Sequence, residues 1–195
     1  QDQPVRYLPY YGPKYSRQND DTIYHRVKGF SFVNQFGKAT DSNTIQNKIY
    51  VTEFFFTTCK SICPIMNSNL DKIYHMFGNR GDFLILSHTV DPEQDSVPVL
   101  KAYSDLHGVH NSNWLFVTGP KSELYQQARI SYLLNADQGD GGPADFIHTQ
   151  NFALVDKERH IRGYYDGTDS LDVNRLITDI KLLIKEYEYR NKMAD

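Results

Sequence analysis

Cysteine is nearly absent, with 2 in 195 residues. That excludes a disulfide-stapled miniprotein, which needs several bridges. Long hydrophobic runs are missing too. No stretch approaches the ~20 consecutive apolar residues of a membrane helix. The longest runs, Phe54 to Phe56 and Phe83 to Leu86, are strand-sized. Neither sign of charge dominates: 21 Lys and Arg face 24 Asp and Glu, a net charge of −3. That balance gives no reason to expect nucleic acid or an anionic membrane surface as partner. No internal repeat or second domain boundary is evident. What remains is ordinary for one globular domain: 39% hydrophobic, 13% aromatic and 23% charged residues, enough to bury a core.

The chain begins at Gln1 rather than Met. A processed product is therefore expected, its signal peptide or anchor removed. Residues 1–28 are rich in Pro, Gly and Tyr (Pro9, Tyr10, Tyr11, Gly12, Pro13) and show neither helical nor strand period. They read as an irregular lead-in strapped on by its tyrosines, or as a linker from an upstream anchor. The domain itself is expected over 29–190.

Strands and helices alternate through that domain. Phe30, Phe32 and Val33 suggest a first strand, and Lys48 to Phe56 a buried central one. After the loop Thr57 to Cys63, Pro64 fits the first turn of a helix. Phe83 to Val90 is a second buried strand ending at Asp91-Pro92. Val97 to His107 predicts a helix, Trp114 to Val117 a strand, and Ser122 to Leu133 a helix. Asn135 to Ala144, with Gly139, Gly141 and Gly142, predicts a loop. His148 to Val155 and Ile161 to Tyr165 predict a terminal hairpin. Val173, Leu176, Ile177, Ile180, Leu183, Ile184 and Tyr187 then share one helix face. Such alternation implies βαβ units and a largely parallel sheet with an antiparallel edge. A cysteine pair between a central strand and a helix is where thioredoxin-like folds carry their redox motif.

The two cysteines are Cys59 and Cys63, spaced C-x₃-C and followed by Pro64. With the helix starting near Cys63, both sulfurs can converge at its N-terminus. There the dipole and free N–H groups favour thiolate below the reference pKa of ~8.5, and Lys60 can add to this. Converging thiolates form a disulfide or hold a soft ion such as Cu(I). The plainer alternative is a pair of buried, inert cysteines. Structural zinc wants four ligands, and no second cysteine pair exists. His107 and His110, spaced H-x₂-H, are a weak signal and read as solvated residues around a helix end.

Of the 7 histidines, His148 stands out. It follows the glycine-rich loop and opens an apolar strand. A loop entering a strand near the redox helix can bring a side chain to the cysteines, and two thiolates plus imidazole suit copper. The glycines would let the imidazole engage or withdraw. An ordinary strand-edge histidine is an equal reading.

These blocks resemble the Sco (SenC-type) proteins, thioredoxin-like copper-binding assembly factors of cytochrome c oxidase. The resemblance covers roughly residues 30 to 185. It rests on Phe54 to Pro64 around the C-x₃-C-P motif, and on Val90-Asp91-Pro92-Glu93-Gln94-Asp95. It rests further on Trp114-Leu115-Phe116-Val117-Thr118-Gly119, and on His148-Thr149 with Phe152 to Asp156. The fold implied is a three-layer α/β/α thioredoxin-like (peroxiredoxin-like) domain, with a mixed sheet and a C-terminal hairpin and helix. The resemblance implies Cys59, Cys63 and His148 as copper ligands, for Cu(I) or Cu(II), with Asp91 supporting. Taken alone, Asp91 reads equally as a turn former before Pro92. Lys60 departs from the family, which often has proline there.

Three functions follow. A copper metallochaperone would pass copper to the dinuclear copper site of the oxidase subunit. A thiol–disulfide oxidoreductase would reduce that subunit's cysteines, with Cys59 and Cys63 as redox dithiol and His148 dispensable. A peroxiredoxin-like peroxidase ranks last, because Phe56 stands where that chemistry favours threonine, and sequence ties neither Arg80 nor Arg129 to the site. Partners implied are the copper-site subunit and possible copper donors or thiol reductants. The compartment implied is the periplasmic side of a bacterial inner membrane, ahead of the mitochondrial intermembrane space, with an anchor upstream of Gln1.

Overall fold

The computed structural model describes residues 6–16, 21–134 and 141–194. Gln1 and Gly139 lie outside them, as do the other residues of 1–5, 17–20 and 135–140. Nine strands and four α-helices are present among the described residues. Seven strands form one mixed sheet, in the order β4-β3-β7-β6-β5-β8-β9. Its parallel centre is β5 (Ile49–Phe55), β6 (Phe83–Thr89) and β7 (Trp114–Thr118). β3 (Ser31–Asn34) and β4 (Ala39–Asp41) pair as a hairpin beside β7. On the other side β8 (Asn151–Val155) runs antiparallel to β5, and β9 (Ile161–Asp166) closes the edge.

Every residue of β5 and of β6 is buried. Their side chains alternate between two faces, as strand geometry demands. Ile49, Val51 and Phe55 face one core, with Met66, Leu70 and Ile73 of α1 (Ile62–Phe77), Leu100 of α2 (Val97–Leu106), and Leu176, Ile180 and Leu183 of α4 (Ser170–Ala194). Tyr50, Phe54, Leu84 and Leu86 face the other, with Leu124 and Tyr125 of α3 (Lys121–Gln126) and Ala128 beyond it. Each fully buried aliphatic side chain supplies ~1.5–3 kcal/mol, so the two cores hold helices on both sides of the sheet. This is the thioredoxin-like arrangement.

Several local expectations are corrected. The lead-in is not wholly irregular: β1 (Lys14–Ser16) pairs with β2 (Thr22–Tyr24). It also covers the β9 side of the sheet. The Tyr11 amide donates to the Ile161 carbonyl, and Val27 to Arg159. Gly12, at φ 99°, is where that strap presses closest: a Cβ there would lie 2.7 Å from His25 Cβ. The helix expected over Ser122 to Leu133 is α3 followed by a π-helical segment, Gln127–Ser131. Finally, β8 begins at Asn151, so His148 sits in the loop before the strand.

Candidate metal centre

The end of β5 delivers the cysteine loop. The Cys59 amide donates to the Phe56 carbonyl at 3.2 Å, a tight turn. Asp95, fully buried, ties this loop to β6. Its carboxylate accepts the Thr57 amide at 3.1 Å, the Thr57 hydroxyl, and the Thr89 hydroxyl at 2.6 Å. Charge-assisted hydrogen bonds of this kind are worth ~1.5–3 kcal/mol each. Asp95→Ala is expected to cost about 2–3 kcal/mol in urea unfolding and to speed alkylation of Cys59. An unchanged alkylation rate would show that Asp95 does not hold the loop.

α1 starts at Ile62, which places Cys63 in its first turn, with Pro64 next. Cys59 lies outside the helix and is half-buried, whereas Cys63 is buried. Burial pushes the Cys59 thiol up. Hydrogen bonds from Cys63, Ser61 and their backbone amides outweigh it and hold the thiol below its ordinary value. Burial pushes Cys63 well above the usual thiol range, and sharing its proton with Cys59 adds to this. The pair is thus asymmetric: Cys59 is the more acidic thiol and Cys63 the less acidic one. Lowered thiols at helix N-termini are the reactive ones.

Beneath the pair lies a buried polar floor that sequence reasoning missed. Glu53 of β5 is fully buried on the α1 face. Its Oε1 accepts the Ser87 hydroxyl at 2.7 Å, and Ser87 accepts the Trp114 indole N–H at 3.0 Å. Its Oε2 has no partner. Burial pushes the Glu53 carboxyl up to about 8, with the Cys59 charge adding to the rise against the Ser87 hydrogen bond. Asn67 of α1 donates to the Tyr103 hydroxyl at 2.5 Å and leaves its own Oδ1 unpaired. Burial raises Tyr103 beyond the usual phenol range, as do the charges of Glu53, Cys63 and Cys59.

His148 is exposed between two buried neighbours, Ile147 and Thr149. Its ring lies 4.9 Å from that of Phe146 and 6.2 Å from that of Phe56, centroid to centroid. His148 therefore stands at the cysteine end of the sheet, with an aromatic pair beside it. The two sulfurs and the imidazole do not all lie within 4.8 Å of one another. Among the described residues the donors that do so are Asp156, Glu158 and His160. Those occupy the β8–β9 turn, and the register of β8 on β5 places that turn at the opposite end of the sheet.

Asp91 lies just past β6. Its amide donates to the Thr89 hydroxyl, and its carbonyl accepts the amides of Gln94 and Asp95. Burial, then the Asp95 charge, raises its carboxyl. His107 faces Asp71 at 3.5 Å and packs on Tyr103 and Trp114. His107 and His110 belong to no donor cluster among the described residues. Arg80 pairs with Asp82 just before β6, at the end of that strand remote from Cys59. Arg129 pairs with Asp145.

The SCO1/SenC family model matches residues 19–185. The SCO1 protein homolog of Bacillus subtilis is 28% identical over 167 residues, covering 85% of this chain and 86% of that protein. The crystal structure of a SCO1/SenC family lipoprotein from Bacillus anthracis superposes with a TM-score of 0.71 at 28% identity, over 82% of this chain and 95% of that one. BsSco, a member of the Sco family of cytochrome c oxidase assembly proteins in which a disulfide switch was identified, gives a TM-score of 0.68 at 28% identity, over 82% and 93%. With the fold, the cysteine loop and these matches in agreement, the chain belongs to the SCO1/SenC family.

Proposed function

We propose that this protein carries copper, holding it through Cys59 and Cys63 with His148 as third donor, and delivers it to the copper-site subunit of cytochrome c oxidase. The observation that carries this reading is the asymmetric dithiol at the start of α1. The Cys59 thiol is held below its ordinary value, in part by a hydrogen bond from Cys63, while burial pushes Cys63 above it. Soft sulfur donors with imidazole select Cu(I) over hard cations. Loading releases the Cys63 proton, so binding is linked to pH and to the redox state of the pair. Membership of BsSco in an oxidase-assembly family supports the destination. The lipoprotein nature of the Bacillus anthracis relative supports a membrane-tethered protein acting on the outer side. No helix among the described residues is long and apolar enough to cross a membrane.

A second reading is favoured by the same asymmetry: a thiol–disulfide oxidoreductase. Cys59 as thiolate attacks a target disulfide and forms a mixed disulfide. Cys63 then displaces the target's second thiolate, leaving Cys59–Cys63 oxidised and the target reduced. The disulfide switch identified in BsSco fits this chemistry.

Anaerobic copper titration of the reduced protein separates the two. One Cu(I) per chain is expected, abolished by Cys59→Ser or Cys63→Ser. His148→Ala is expected to weaken Cu(II) on the order of 100-fold and to remove its thiolate-to-copper absorption, as loss of a ligand should exceed the ~10–100-fold cost of losing its outer support. Absence of stoichiometric binding would sink the carrier reading. The reductase reading then stands or falls on whether Cys59→Ser abolishes reduction of a copper-site subunit disulfide.

A further inference from the structure

The glycine-rich approach to His148 suggests a swinging histidine, but the described segment from Gly141 to Ile147 is pinned. Asp145, three residues before His148, receives both ends of a guanidinium: Arg129 Nη1 to Oδ2 at 2.5 Å and Nη2 to Oδ1 at 2.8 Å. The Gly141 amide donates to the same carboxylate at 2.7 Å. Both side chains are largely buried, 14% and 9% exposed. Hydrogen bonds from Arg129 hold the Asp145 carboxyl down at about 2, so the pair stays ionised at working pH. Bidentate pairs of this type fix orientation as well as distance.

The pin is itself braced. The Tyr125 hydroxyl donates to the Val90 carbonyl at 2.7 Å, beside Asp91, and approaches the Asp145 carbonyl at 3.4 Å. Arg129 stacks over the Tyr125 ring at 5.5 Å. Arg129 projects from the π-helical segment, a geometry that re-aims side chains and is common at functional sites. That segment is clamped from the lead-in. The Lys28 amide donates to the Ser131 hydroxyl at 2.7 Å, the Gln127 side-chain amide donates to the Lys28 carbonyl at 3.2 Å, and His25 Nε2 meets the Ser131 carbonyl at 2.7 Å. Downstream of Asp145, Ile147 is buried in the core.

We infer that Arg129 and Asp145 are positioning residues that preset His148 beside the cysteine loop, so that the histidine engages by local rotation about Ile147 and Thr149 and not by travel of residues 141–149 together. The inference rests on His148 being a copper donor. Its consequence is selective. Cu(I), held by the two thiolates, should bind without the latch. Cu(II), which needs the imidazole, should not bind well without it.

The test uses Arg129→Gln and Asp145→Asn in the full chain, with Arg129→Lys as the conservative variant. Amide hydrogen exchange of the metal-free protein should quicken at residues 144–149 and stay unchanged in β5 and β6. Cu(II) affinity should fall on the order of tenfold, in the range of lost outer support, with weaker thiolate-to-copper absorption. Cu(I) affinity should be unchanged, and Arg129→Lys should recover part of the Cu(II) loss. Unchanged exchange at 144–149 overturns the latch. So does quickened exchange with full Cu(II) affinity, or an equal loss of Cu(I) and Cu(II). A His148→Ala protein measured alongside separates the failures. If it keeps the wild-type Cu(II) spectrum, the donor assignment is wrong and the positioning role falls with it. If it loses the spectrum while Arg129→Gln keeps it, only the latch is wrong.

Discussion

Arg162→Met is expected to lower unfolding free energy by ~3–5 kcal/mol, the usual cost of stranding buried charges. The Arg162 side chain and both its carboxylate partners, Asp156 and Glu186, are fully buried. It donates to Asp156 at 3.0 Å, to both Glu186 oxygens at 2.9 and 3.2 Å, to the Leu8 carbonyl at 2.6 Å and to the Pro9 carbonyl at 3.1 Å. Its guanidinium lies 4.2 Å from the Tyr10 ring. One side chain therefore joins β9, α4 and the lead-in. Lysine has a single donor centre and should rescue only a fraction. Equilibrium urea unfolding measures the effect, and a change below ~1 kcal/mol, typical of exposed pairs, would show the network to be dispensable. Burial pushes the Asp156 carboxyl up, but hydrogen bonds from His160 and Arg162 outweigh this and hold it below its ordinary value. Its stabilising contribution is therefore present above the unfolded carboxylate value and lost as pH falls through the folded one.

The second large effect has the opposite sign. The Glu53 carboxyl is raised to about 8 in the folded protein. A raised acid is stable folded while protonated, so its contribution is complete below the unfolded pKa and is lost as pH climbs through the folded one. Between pH ~4.5 and ~8 the native protein should lose about 4 kcal/mol relative to Glu53→Gln, at ~1.4 kcal/mol per unit. The glutamine keeps an acceptor for Ser87 and does not ionise. Urea midpoints taken from pH 5 to 8 should slope down for the native protein and run nearly level for the variant. Parallel profiles would mean that Glu53 titrates near its ordinary value. The same ionisation opposes the Cys59 charge, so the alkaline limb of Cys59 alkylation should sharpen in the variant.

The thioredoxin-like sheet was readable because its central strands are continuous apolar runs and its helices keep a clear period. The dithiol was readable because two cysteines at a strand–helix junction have few other uses. Glu53 left a signal that went unread: a lone carboxylate inside Ile49-Tyr50-Val51-Thr52-Glu53-Phe54-Phe55, six residues before Cys59. Its burial follows from strand alternation, which puts it on the α1 face. β4 was missed because Ala39-Thr40-Asp41 has no strand signature, and only β3 alongside makes it one. The π-helical segment depends on clamps from residues 25 to 28, about a hundred positions away in the chain. No local window contains that information. The apolar run after His148 pulled the expected strand start forward. The Thr149 hydroxyl, accepting the Asn151 amide, closes a turn there before pairing begins.

The strap across β9 also bears on which sheet edges are open to another strand. At β9, Tyr11 occupies the Ile161 carbonyl and Arg175 the Tyr164 carbonyl, so among the described residues that margin is partly covered, and the other margin is the three-residue β4. Unpaired margins are templates for strand addition. Two molecules joining antiparallel through β4 would form a closed pair. Peeling the strap from β9 would give every molecule two unlike margins, the head-to-tail geometry from which open filaments grow. The tyrosine-rich lead-in thus covers part of an edge that would otherwise be open to strand addition.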